Sequence, residues 1–503
     1  MFSKRQSFIC ARTLALWIAV VAVMAGCGGS SSQTTSGQGN ISVSVTGLPV
    51  NTSVVLQNNG SNSLTISSAN PTSSFYGAYP VGSAYAITVL QQPTGGTCTV
   101  TSNSSGIITN AVVQVGVTCI PNAPNGALQS PPVTILGNSM QIALDAGPVA
   151  GVSQINIPYV SVTVCPPGTL GATQACQTID HVQLDTGSFG LRLLNSSLYA
   201  NLSLPSVNAS GPAIGECVPF AIGVTWGSVV FADIYLGGEV AKSVPIQIIG
   251  AQPGGVTAVP TDCSNTGTIQ ITQDALGANG ILGVGLFAND CDICSTQVIP
   301  AAYYACTSAG CTNSTVAASQ IVRNPVDALP VDNNGVVIQL PGVGSSGASA
   351  LNGTLFFGIG TQTNNALVST AQVYATDAFG TITTSYNGST YTSFIDSGSN
   401  GVFFNDPTIA LCASTTWYCP SSTLPPLSAI NTAATGGAQG TVSFSIVSLY
   451  QLSSGAVAAN IGGTASGYFD WGLPFFFGRT VYTAIQGKPA PPGGTPGPYF
   501  AYY

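Results

Sequence analysis

Residues 182–188 read VQLDTGS and residues 393–399 read SFIDSGS, so that two aspartates, Asp185 and Asp396, stand 396 − 185 = 211 positions apart in the same local spelling. In each copy an apolar approach leads to an acid, a hydroxyl residue, a glycine and a serine. One such segment is ordinary turn chemistry, because short polar side chains bond their own backbone and glycine permits a tight reversal. Two copies, in a chain of which only 5% is charged, predict two structural halves that each deliver one carboxylate to a shared site.

The sequence around these motifs is written in short strands. Beyond the first 30 residues no apolar run reaches the ~18 needed to cross a bilayer. The apolar content comes instead from Val, Ile and Ala set among 60 Gly and abundant Ser and Thr, a pattern of strands joined by turns. An all-β protein is expected. Residues 41–120 carry five alternating segments (41–45, 53–57, 63–66, 84–89 and 112–117) at the spacing of a small β-sandwich. Residues 121–130, which include Pro121, Pro124 and Gly126, form a linker by composition. The remainder, 131–503, continues as β-rich sequence with few convincing helices.

The N-terminus has the anatomy of an export signal. Lys4, Arg5 and Arg12 precede an apolar run from Leu14 to Met24, and Met24-Ala25-Gly26-Cys27 resembles a bacterial lipobox. That resemblance implies a signal peptide over 1–26, a lipidated Cys27 and a tether over 27–40. Gly28, rather than Asp, implies sorting to the outer membrane, so the expected location is the bacterial cell envelope, with a lipid anchor as the membrane contact. Removal of the signal leaves 8 − 3 = 5 basic against 16 acidic residues, which disfavours nucleic acid as a partner.

Of 14 cysteines, Cys10 lies in the signal and Cys27 is the lipid site. The other twelve, in an exported chain, predict six disulfides. Nearness favours Cys98 with Cys119, Cys165 with Cys176, Cys217 with Cys263, and Cys412 with Cys419, and leaves Cys291, Cys294, Cys306 and Cys311 as a cluster of open pairing. Cys291 and Cys294 form a CxxC, read as a loop clamp rather than a redox pair because no βαβ pattern surrounds it.

Elimination narrows the chemistry. The single histidine, His181, lies four residues before Asp185 on the same expected strand and reads as a partly exposed strand position. Serine or cysteine triads would depend on it alone, and zinc hydrolases draw on two or three histidines, so no metal and no cofactor is expected. Paired carboxylates remain: held close, they share one proton, so that one acts as base and the other as acid. Thr186, Gly187, Ser188, Ser397, Gly398 and Ser399 are the expected supports, the hydroxyls to orient each carboxylate and the glycines to let backbone approach.

The motifs VQLDTGSFGLRLL and SFIDSGSNGVFF, with ANGILGVG at 278–285, GTLFFGIG at 353–360 and WGLPFFFGRTVY at 471–482, resemble in order the landmarks of the pepsin-like, two-lobed aspartic proteases. Separately, VVLQNNGSNSLTI and the closing VGVTC resemble an Ig-like module of bacterial surface lipoproteins. Together they imply an Ig-like β-sandwich at 41–120, followed by a bilobal pepsin-like double-ψ β-barrel fold with lobes at 131–345 and 346–503. They also imply Asp185 and Asp396 as the catalytic pair of a cell-envelope endopeptidase, acting as a monomer on peptide or protein substrates. The sequence departs from that family where its flap tyrosine falls on Phe220, where its tryptophan after the first motif becomes Arg192, and where the segment near 472 lacks an acid. Those departures keep open a catalytically inactive, peptide-binding or adhesive lipoprotein.

Overall fold

A computed structural model describes residues 38–503 apart from 50, 94, 110–111, 122–125, 131–136, 150, 153, 170–174, 423, 453–454 and 490–495. The expected signal, Cys27, most of the tether and linker positions 122–125 lie outside the described residues. The protein is all-β, 46% strand against 8% helix, and the helical pieces are single turns of three or four residues. No helix among the described residues is long and apolar enough to cross a membrane.

The chain divides into two compact units, with the boundary after Cys119. In the first, every expected strand forms, as Ile41–Thr46, Ser53–Asn58, Asn62–Ser67, Ala84–Gln91 and Val113–Pro121. They assemble, with shorter strands, into two four-stranded sheets. Alternation explains the packing: Ile41, Val43 and Val45 from one sheet and Val54, Leu56, Ile66 and Ile87 from the other fill one core, while the intervening residues stay wetter. The Cys98–Cys119 bridge ties two neighbouring strands of the first sheet.

The second unit, Ile120–Tyr503, contains a fifteen-stranded and a seven-stranded sheet. Within it one strand arrangement occurs twice. Gln177–Asp185 pairs in parallel with Gly280–Val284, which pairs antiparallel with Phe189–Leu194, which in turn pairs in parallel with Glu239–Ile249. Ser389–Ile395 pairs in parallel with Tyr468–Trp471, which pairs antiparallel with Val402–Phe404, itself parallel to Gly462–Thr464. The halves are joined by Ser139–Leu144, which lies along Leu351–Phe357 in the larger sheet. Parallel partners need both faces covered, and apart from the outer part of Ser389–Ile395 the strands are largely buried: Leu184 and Leu282 of one half and Phe404, Phe469 and Trp471 of the other belong to a single apolar core.

All twelve cysteines among the described residues pair. The four near-neighbour bridges form as expected, and the open cluster separates into Cys291–Cys294 and Cys306–Cys311. The CxxC therefore closes on itself, around one helical turn, Asp292–Ser295. Because a bridge restricts the unfolded chain more when it spans more residues, the pair Cys217–Cys263, 46 residues apart, and the pair Cys306–Cys311, 5 apart, are expected to differ. Replacing both cysteines of the longer bridge by Ala should cost about 4 kcal/mol and the shorter about 2 kcal/mol by chain entropy. Urea unfolding of the two variants under non-reducing conditions measures the difference.

Candidate active site

Each aspartate stands where the buried end of a strand gives way to a tight loop, and the two loops meet tip to tip. Asp185 closes the strand Gln177–Asp185 and Asp396 follows Ser389–Ile395. Four buried cross-bonds lock them together. Thr186 N donates to Ser397 Oγ (3.1 Å) and Ser397 N to Thr186 Oγ1 (2.9 Å). Thr186 Oγ1 donates to Ile395 O (3.1 Å) and Ser397 Oγ to Leu184 O (2.8 Å). Exchanging the loops exchanges the bonds, so the pairing is reciprocal. At about 1 kcal/mol net for each satisfied bond, the lock fixes geometry more than it stabilises the fold.

The same near-symmetry governs the carboxyls. Gly187 N donates to Asp185 Oδ1 (2.8 Å) and Gly398 N to Asp396 Oδ1 (2.7 Å). Ser188 Oγ donates to Asp185 Oδ2, and Ser399 Oγ to Asp396 Oδ2 at 2.9 Å. Glycine is required at both tips for closeness: a Cβ on Gly187 would lie 2.6 Å from Asp396 Cγ, and one on Gly398 2.4 Å from Asp185 Oδ1. Each carboxyl thus lies over the opposite glycine. The structure therefore gathers both aspartates and all six expected supports at one place.

The electrostatics follow from that crowding. Burial, the Asp185 charge and then the charge of Asp470 hold the Asp396 carboxyl well above the usual carboxylate range, opposing which Gly398 N donates to it. Asp396 nonetheless keeps partial solvent access, whereas Asp185 is 6% exposed. The enclosed pair thus favours a state that keeps a proton on the Asp396 side.

Asp470 is a functional candidate that sequence reading missed. It lies in Tyr468–Trp471, opposite Phe394 in the parallel ladder, and burial pushes its carboxyl up to about 8, with a Ser399 hydrogen bond opposing and the Asp185 charge adding. Its signal was an acid inside the apolar run YFDW, two residues before the segment that reads as lacking one.

Other expected residues lie elsewhere. Phe220 packs with an apolar cluster that includes Leu194, Ile249 and Ile271, and the turn after it is tied down by Gln270 Nε2, which donates to Ile222 O. Leu194 of that cluster sits at the end of Phe189–Leu194 away from the aspartate loop, while Tyr159 and Ile281 lie opposite Gln183. His181 stands between Asp145 (3.3 Å) and Asp180 (3.4 Å). Arg192, at the tryptophan position, is 0% exposed. It donates to Phe189 O (2.6 Å), Glu216 Oε1 (2.7 Å) and Asp290 Oδ2 (2.8 Å). Tyr303 completes this network by donating to Asp290 Oδ1 (2.8 Å). Burial and the Glu216 charge push Asp290 well above the usual carboxylate range, more than Arg192 offsets. Among the described residues no cluster of three or more His, Cys, Asp or Glu is placed to hold a metal ion.

Fold and site together define an all-β protein whose two matching halves meet at a pair of enclosed, hydroxyl-supported carboxyls. Residues 135–502 match the family model described as "Protein of unknown function (DUF3443)", and over so much of its length the chain belongs to that family. No curated protein matches the chain.

Proposed function

We propose that the chain is an aspartic endopeptidase of the pepsin-like, two-lobed kind, carried behind an Ig-like module. By the same proposal it is anchored through a lipid on Cys27 in the bacterial envelope, at the outer membrane, and acts as a monomer on peptide or protein substrates. The observation that carries this reading is the reciprocal Thr186–Ser397 lock, which presents Asp185 and Asp396 face to face across their glycines. In the proposed reaction a water lies between the carboxyls. Asp185 takes its proton while the oxygen bonds to the scissile carbonyl carbon, and Asp396 gives its proton to the carbonyl oxygen, forming a gem-diol. Proton transfer to the amide nitrogen then lets the C–N bond break. A base and an acid must each touch the atom they serve, and one proton shared by two carboxyls provides both roles at once.

The packing of Phe220 into an apolar cluster favours the second reading, a cleft that binds peptide without cleaving it. Incubating the mature protein with an unfolded-protein library between roughly pH 3 and 7, with and without a statine-type transition-state mimic, separates the two. Cleavage that is strongest in acid and blocked by the mimic is expected. Peptide capture with no new termini would replace the peptidase reading by the binding one.

A further inference from the structure

The near two-fold symmetry of the site is broken at Asp470. Asp470 opposes Phe394 in the second half as Ile281 opposes Gln183 in the first, so one half carries a carboxyl where the other carries an alkyl chain. Asp470 is 5% exposed, and its Oδ1 has no hydrogen-bond partner. An acid buried this way inside an apolar strand is costly to the fold, and here it stands beside the reacting groups. Its link to them runs through Ser399, whose hydroxyl donates to Asp396 Oδ2 (2.9 Å) and lies close enough to Asp470 to oppose the rise of its carboxyl. Ser188 shows no second acid: its hydroxyl serves Asp185.

We propose that Asp470 is a positioning residue: a third carboxyl that decides which way the Ser399 hydroxyl points, and through it the ionisation of Asp396. A serine hydroxyl has one hydrogen to give. When Asp470 holds a proton it donates to Ser399 Oγ, and the Ser399 hydrogen is free for Asp396. Once Asp470 ionises, it competes for that hydrogen and adds a negative charge beside Asp396, and both effects keep the proton on Asp396. The titratable groups that face it are few: Asp185 and Asp396 from the two loops, and Tyr468 on its own strand. Tyr391 of the neighbouring strand packs on Phe469 instead, and Val402–Phe404 brings no titratable side chain. The consequence for activity rests on the peptidase reading; the ionisation itself does not.

Asp470→Asn and Asp470→Ile, the second restoring the residue type of the matching position, test this beside the wild type. The first measurement is denaturant stability against pH. A carboxyl raised in the fold from 3.8 to about 8 stabilises most below the lower value, and that contribution is lost as pH rises through the upper one. The wild type should therefore lose stability across this window, and either variant should lose less, by a factor of about ten in the folding constant per pH unit for the missing proton. The second measurement follows the Asp396 carboxyl by carbon NMR, and its titration should move to lower pH in both variants. The third is the pH profile of kcat/KM, whose basic limb should move the same way, whereas a residue that merely packs would scale activity equally at every pH. Unchanged stability slopes together with an unmoved Asp396 titration in whichever variant folds would overturn the proposal. A wild type that cleaves nothing, but whose Asp396 titration moves, would leave it standing and reject the peptidase reading alone.

Discussion

Asp185→Asn and Asp396→Asn are each expected to lower kcat/KM for peptide cleavage by roughly 10⁴-fold or more, and the double variant to fall no further. Non-additivity is the informative part: if one carboxyl activates the water and the other protonates the carbonyl, removing either already removes the reaction. Folding should survive. The carboxyls crowd one another and lie over opposite glycines, so an amide relieves like-charge repulsion and can still accept from Gly187 N or Gly398 N. Fluorogenic peptide kinetics and thermal unfolding on the same three variants check both halves of the expectation. Single variants retaining activity within tenfold of wild type would show that the pair does no chemistry.

Arg192→Leu is expected to destabilise the protein by about 3–5 kcal/mol, because it strips the counter-charge from buried Glu216 and a hydrogen-bond donor from Asp290. Total stabilities of single domains are about 5–15 kcal/mol, so the loss is a large share. Glu216 is 1% exposed and already leaves Oε2 without a partner, so water cannot replace the guanidinium. The paired change Arg192→Leu with Glu216→Leu should recover much of the loss, and a double-mutant cycle from urea unfolding gives the coupling. Arg192 also holds Phe189 O directly after the first aspartate loop. Any folded single variant should therefore show reduced cleavage as well as reduced stability, linking the network to the site through the backbone of that loop.

Much was legible in the residues because it is encoded locally. Alternating Val and Ile between Gly, Asn and Ser specify strands and reversals, and the five N-terminal segments formed where the pattern placed them. A D-[ST]-G-S spelling repeated at two strand ends marked the carboxyls and their hydroxyl and glycine neighbours, since those roles belong to residues within three positions of each acid. Near cysteines paired because short loops close most readily. What stayed hidden depends on register between distant strands. Asp470 lies 470 − 396 = 74 residues from its dyad neighbour, and only the parallel ladder with Ser389–Ile395 sets it beside Phe394. Arg192, Glu216 and Asp290 come from three separate segments, and nothing in any one of them announces an ion cluster. The position of Phe220 could be counted along the chain, but not the apolar cluster it joined, which draws on residues from Tyr159 to Ile281. Local pattern therefore determined which elements form and which side chains carry charge at their ends. Packing of those elements against one another, where burial strengthens every electrostatic contact and removes every solvent alternative, decided which charges meet.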